Sequence, residues 1–429
     1  MIVDRSASQP PAWPPTSEAL LVYEQLRRGM LRDRFGHWVQ TLLACLFAFA
    51  GALDHAPLNI ATVMLVTCFV IRLHASWRAM PTLLRVPALL PCALLTLWML
   101  LGLAWTSGDA TAIHDLTMLR WIVILPALWP VLDHAREIAI AFILGTMVQN
   151  GAQFLQLAEY IPRPDGNYWR YSGFINHPGD SALRSAMSIV LALALASSTR
   201  GAARGLFLLA SCVALTGVFI AAGRGQILAL AFAIPLLLLL LRRGGFLTVR
   251  AMWVSVAALI LTALVALPTV GRASLRYFED VPEQLSSAAT GDDSSSSIGV
   301  RVAWWKDASA LWLKHPIVGA GIGSYASESQ ANNPDTASHT SHPHNMYIGM
   351  LCEGGLVGLA LLAWMLSALL RVGARNAKHS SLACGAVAAI VVLLASGMTS
   401  DPQYREMDVS SAMIMVALGC LPWVRGWRS

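Results

Sequence analysis

Charge is what this sequence has least of. Asp, Glu, Lys and Arg make up 13% of its 429 residues, against about a quarter in a soluble globular chain. That shortage excludes a soluble enzyme with an ordinary hydrated surface. Thiol patterning is missing as well. The seven cysteines (Cys45, Cys68, Cys92, Cys212, Cys352, Cys384, Cys420) form no CxxC and fall within apolar runs, which excludes a disulfide framework and a thiolate zinc site. No HExxH occurs, and no DxD-like or nucleotide-binding feature is present. The net charge of +6 is not gathered into a basic patch on a soluble face, so nucleic acid is not an expected partner.

Hydrophobicity fills the space that charge leaves: 56% of residues are apolar and mean hydropathy is +0.58. Apolar runs able to cross a hydrocarbon core of about 30 Å recur along the chain. Twelve are expected, near 36–53, 57–73, 87–106, 117–133, 136–158, 180–198, 203–222, 225–241, 248–270, 345–370, 381–399 and 409–424; 117–133 and 225–241 are short. Backbone polar groups in lipid must be satisfied internally, so each run reads as a helix and the chain as an all-α integral membrane protein.

The Pro-rich and then basic residues 1–35 (Arg27, Arg28, Arg32, Arg34) lead directly into the first run. No small-residue cleavage site ends that run, so a retained helix is expected. With twelve spans both termini share a side. Lys and Arg favour that side by roughly two to one, which places both termini in the cytoplasm by the positive-inside rule. The expected division is a tail 1–35, helices 1–9 over 36–270, a large outer loop 271–344, helices 10–12 over 345–424, and a tail 425–429.

The outer loop opens with Arg272 and Arg276, passes an acidic turn (Glu279, Asp280, Glu283) and a Ser-rich stretch, then reads as an amphipathic helix over 298–314. Arg301, Trp305, Ala308 and Trp312 share one face at helical spacing, and Ser297 is the expected N-cap. Arg120, Arg184, Arg224 and Glu353 lie within one or two turns of the outer ends of their spans. Charges in lipid are costly and line cavities or sites, so together they suggest a cavity opening outward. Arg184 pairing with Asp180 is the structural alternative. Arg224 stands in AAGRGQ, between two spans with almost no loop, where a planar guanidinium suits phosphate oxygens.

Three histidines (His339, His342, His344) fall in SHTSHPHNMY. Metal ligation by H-x-x-H-x-H lacks a carboxylate or cysteine at motif spacing. His339 and His342 are compatible with a polar loop. His344 opens the next helix, where an imidazole can act as a general base near neutral pH.

The series His344, Asn345, Gly355, Gly358, an HN-x9-G-xx-G pattern, resembles the signature of the O-antigen ligases. RYSGFINHP (170–178), AGRGQ around Arg224, RVAWWKDA (301–308) and KHPIVGAGIGSY (314–325) follow the order of motifs in the O-antigen ligase/polymerase superfamily, a resemblance covering roughly 165–360. It implies a GT-C-like membrane fold with one large periplasmic loop between helices 9 and 10. It also implies a metal-independent, inverting glycosyltransferase without cofactor or nucleotide. The donor would be undecaprenyl-pyrophosphate-linked O-antigen, and the acceptor a sugar hydroxyl of lipid A-core oligosaccharide. Carried onto this chain, His344, Arg224 and Arg301 are the catalytic set, His344 as base and the arginines on the pyrophosphate. Arg170, Arg120, Arg184, Asn345, Tyr347, His342 and Trp305 are the candidate substrate-binding residues. Glu353 and Asp401 compete as the acidic partner of His344. An O-antigen polymerase and an O-linked protein oligosaccharyltransferase share the donor and differ in acceptor. A lipid-linked sugar transporter would instead place charge at the midplane and show internal repeats.

Overall fold

Capping side chains start four of the helices among the described residues. Asp33 accepts the Gly36 amide at 2.8 Å and starts α2 (Arg34–Ala50), which follows α1 (Ser17–Arg32). In a computed structural model, residues 17–107, 116–162, 171–175, 177–279, 281–290, 296–332 and 340–421 are described. Among them helix predominates over the expected apolar runs, and no strand occurs.

The principal helices continue as α3 (His55–Ile71), α4 (Leu89–Leu101), α5 (Ala135–Leu157), α6 (Pro178–Ser198), α7 (Gly201–Ile220), α8 (Arg224–Arg243) and α9 (Val249–Glu279). They end with α10 (Ser297–Lys314), α11 (Met346–Asn376), α12 (Ser381–Ser396) and α13 (Glu406–Cys420). Five segments among the described residues are long and apolar enough to cross a membrane: Trp121–Leu157, α6, α7, α8 and α11. A sixth forms if His55–Ile71 and Leu73–Leu83, bent by 70°, count as one span. Leu89–Ala104, Val249–Val265, Ser381–Ser396 and Met407–Cys420 are apolar but shorter.

The expected run 117–133 is not a separate span. It divides into a 3-10 turn (Leu116–Arg120), a helix of 8 residues holding Pro126, and a second 3-10 turn (Trp129–His134) that runs into α5. Pro126 and Pro130 lack the amide hydrogen that a regular helix would use. The N-cap of α10 is Ser296 rather than Ser297: its hydroxyl accepts the Gly299 amide at 3.0 Å.

α6 and α12 form the centre. Nearly nine-tenths of α6 is buried, and it packs against α7, α12, α8 and α5. Small residues permit this: a Cβ on Gly385 of α12 would lie 2.7 Å from Ala194 Cβ. Without a hydrophobic drive between helices in lipid, close approach and polar ties supply the contact. Ser185 to Asn150 (2.9 Å) and Ser188 to Thr146 (2.7 Å) are such ties between α6 and α5.

Candidate active site

The HN-x9-G-xx-G pattern has a structural cause at each position. Asn345 caps α11, its Oδ1 accepting the amides of Tyr347 and Ile348 at 3.0 and 3.1 Å while its Nδ2 donates to the Met398 carbonyl at 3.1 Å. That leaves His344, at φ +51, just outside the helix. Gly355 breaks α11 at φ +66. The loop after α10 lies across this break: the amides of Ala320 and Gly321 donate to the carbonyls of Cys352 and Glu353, and those of Leu356 and Val357 to Pro316 and Ile317. A Cβ on Gly355 would lie 2.3 Å from the Ile317 oxygen, so no side chain fits. Glu353 belongs to this crossing. It is buried and accepts the Gly323 amide at 3.1 Å, and Asp401 is the carboxylate that faces His344.

Asp401 lies in the turn between α12 and α13, 3.8 Å from His344 Nδ1. Its side chain is 2% exposed, and that of His344 24%. Burial holds the imidazole down to about 3, aided by the positive charges of Arg405 and Arg301. Burial pushes Asp401 up to about 7, against the pull of Arg405, the His344 and Asn345 amides, and Arg301. At neutral pH His344 is thus an uncharged imidazole with a lone pair to offer. Asp401 beside it is poised between its two protonation states and able to steady an imidazolium when one forms.

α10 supplies the opposite wall. The Trp304 ring stacks on His344 with centroids 4.9 Å apart and planes tilted by 37°. Trp305 Nε1 donates to the Pro343 carbonyl at 3.0 Å, fixing the approach to His344. Arg301 is half-buried one turn earlier on α10. Thr340 Oγ1 lies 3.5 Å from His344 Nε2 and donates to the His342 carbonyl at 3.0 Å.

Arg224 begins α8 after a tight reversal in which Ala222 takes φ +51. Flanking glycines admit close neighbours there: a Cβ on Gly225 would meet Thr399 Oγ1 at 2.4 Å, and one on Gly223 would meet Ala182 Cβ at 2.5 Å. Arg224 therefore enters beside the same turn that carries Asp401.

Beneath the site the charges pair. Arg405 bonds the carboxylate of Asp180 at the start of α6 and lies 3.2 Å from His177 Nδ1. Arg184 is wholly buried, 2.8 Å from Asp408 of α13, with further bonds to the carbonyls of Asp180 (2.6 Å) and Gly51 (3.2 Å). Its carboxylate is thus Asp408, and Asp180 contributes only its backbone oxygen. No face of the Arg184 guanidinium is open to a ligand.

Of the remaining expected residues, Arg120 donates to Asn59 Oδ1 at 3.0 Å from a 3-10 turn packed on Pro402–Tyr404. Tyr347 donates to the Leu394 carbonyl at 2.9 Å. Arg170 and His339 lie outside the described residues. Three glutamines of α5 hold the segment following Arg170. Gln149 accepts the Phe174 amide at 3.0 Å and Gln153 donates to the Tyr171 carbonyl at 3.0 Å. Gln156 pairs with both backbone groups of Gly173 at 2.8 and 2.9 Å. Their i, i+4, i+7 spacing within an apolar run was the signal available in sequence.

An apolar cavity of about 160 Å³ lies within the bundle between α4, α11, α12 and α13. Met346 and Pro402, the chain neighbours of Asn345 and Asp401, are among the residues that line it, with Leu95, Trp121, Leu366 and Met413.

Residues 206–363 match the family model described as O-antigen ligase. The matched stretch runs from α7 into α11 and contains Arg224, Arg301 and His344. No curated protein matches the chain.

Proposed function

We propose that this member of the O-antigen ligase/polymerase superfamily is an O-antigen ligase. It transfers O-antigen polysaccharide from undecaprenyl pyrophosphate to a lipid A-core sugar hydroxyl. The observation that carries the reading is His344 set 3.8 Å from the buried Asp401 carboxylate at the start of α11, with α10, which bears Arg301, packed against it through Trp304. His344 takes the proton from the acceptor hydroxyl as its oxygen attacks the anomeric carbon from the face opposite the pyrophosphate. The configuration inverts, and Asp401 stabilises the imidazolium. Arg224 and Arg301 bind the pyrophosphate and take up the charge that develops as the glycosidic C–O bond breaks. Two guanidiniums at the site perform the electrostatic task that a metal performs elsewhere.

In this reading the protein is multi-pass in the bacterial inner membrane, with about twelve helices, cytoplasmic termini and the site facing the periplasm.

Complementation tests it. Expression in a ligase-deficient strain is expected to restore capped lipopolysaccharide on gels, and His344→Ala is expected to insert normally yet restore none. Rescue of chain length in a polymerase-deficient strain, without capping, would assign the polymerase reaction instead.

A further inference from the structure

A second group of chemistry-bearing side chains lies at the other end of α2. His37 stands in the first turn of that helix, and Asp133, His134 and Glu137 lie where the 3-10 turn Trp129–His134 passes into α5. The 14 residues from His37 to Gly51 along α2, rising about 21 Å at 1.5 Å each, separate this group from the Gly51 carbonyl, which accepts from Arg184 under the candidate site. The two groups occupy opposite ends of the bundle.

Asp133 Oδ2 is shared by two imidazoles: His37 Nε2 lies 2.9 Å away and His134 Nε2 3.8 Å away. Ligand-competent atoms of the three residues all lie within 4.8 Å of one another. Tetrahedral ligands about 2.0–2.2 Å from zinc stand about 3.4 Å apart. One pair would have to open slightly and the other to close slightly, within the reach of side-chain rotation.

Behind His134, its Nδ1 faces Glu137 Oε2 at 3.8 Å. A carboxylate in that position sets the tautomer of a ligating imidazole and raises its basicity. Asp133 Oδ1 is buried with no hydrogen-bond partner. The His37 side chain is 4% exposed, while that of His134 is 39% exposed, giving a way in and room for water as a fourth ligand. A simple His37–Asp133 hydrogen bond would account neither for the second imidazole on the same oxygen nor for the carboxylate behind it.

We propose that His37, Asp133 and His134 bind one divalent cation of the zinc class, with Glu137 orienting His134. Two imidazoles and one carboxylate suit zinc and disfavour magnesium or calcium, which take oxygen ligands. The cation ties the start of α2 to the start of α5. These helices already approach closely, since a Cβ on Gly145 would lie 2.2 Å from the Phe49 oxygen. Its role is structural and separate from the transfer chemistry at the far end.

The test uses the full chain in lipid nanodiscs, affinity tag removed, stripped with chelator and titrated with zinc chloride alone. Bound metal is measured after desalting, and thermal unfolding is followed in parallel. One zinc per chain and a raised unfolding temperature are expected. Asp133→Asn and His134→Gln should weaken binding at least tenfold and remove the thermal shift, whereas His342→Ala should retain both. His134 is partly exposed, so its variant informs even where a His37 variant does not assemble. A wild-type chain that retains no zinc overturns the proposal. So does binding unchanged in Asp133→Asn and His134→Gln, or binding lost in His342→Ala.

Discussion

His344 and Asp401 meet across two helix junctions, Nδ1 3.8 Å from the carboxylate, one at the start of α11 and the other in the turn after α12. Burial drives both toward their neutral forms, which gives the site its pH behaviour.

Asp401, pushed up to about 7, binds more protons folded than unfolded between about pH 4 and 7, so its burial costs stability as pH rises through that window. In the proposed mechanism transfer requires its ionised form. Activity is expected to fall as pH drops below about 7, with His344 remaining uncharged throughout. Asp401→Asn should flatten this profile, lower kcat by at least tenfold, and raise the unfolding temperature at pH 8 by a few degrees. A pH–rate profile and thermal scans of the two proteins check both halves.

Removing the proposed base is expected to be a larger loss. His344→Ala should reduce transfer by about 10²–10⁴-fold, and Arg301→Ala or Arg224→Ala by about 10²–10³-fold. Lysine at either arginine position should recover little, because a point charge does not reproduce the planar fork. In vitro transfer from a purified lipid-linked donor, with membrane insertion verified separately, measures these effects.

Gly355 and Gly358 are not equivalent although one pattern contains both. A Cβ at Gly355 meets backbone at 2.3 Å with φ +66, whereas one at Gly358 meets the flexible Met350 sulfur at 3.2 Å. Gly355→Ala should lower the yield of folded protein sharply. Gly358→Ala should cost about 1 kcal/mol or less, within the range for mild overpacking. Detergent-resistant monodispersity of the two variants distinguishes them.

The Arg184–Asp408 pair predicts a compensation. Arg184→Met strands a buried carboxylate and should destabilise by about 3–5 kcal/mol. Adding Asp408→Asn should recover much of that loss, while Asp408→Asn alone strands the guanidinium. Thermal unfolding of the singles and the double variant forms the required cycle.

The helices were legible because twenty consecutive apolar residues have one stable form in lipid, and that information is local. His344 and Arg224 stood out for a related reason: a titratable or fixed charge at the mouth of a span is costly and so conspicuous. The acidic partner of His344 was not. Glu353 and Asp401 both read as carboxylates near the outer surface, and only the crossing of the Gly319–Gly323 loop over α11 commits Glu353 to the Gly323 amide. Trp304 and Trp305 are adjacent in sequence. The rotation of α10 puts one ring on His344 and turns the other indole to Pro343. Arg405 has no motif around it, and its bond to Asp180 joins segments far apart in the chain.

By itself, then, the sequence determined an all-helical chain with apolar membrane-crossing helices, and it singled out the histidine and arginines on which the proposed function rests. Tertiary structure decided which charges neutralise one another and which are left to act on His344. The physical reason is range: hydrophobic periodicity and capping operate within a few residues, whereas pairing between α6, α10, α11 and α13 is set by how small-residue helix faces let those backbones approach.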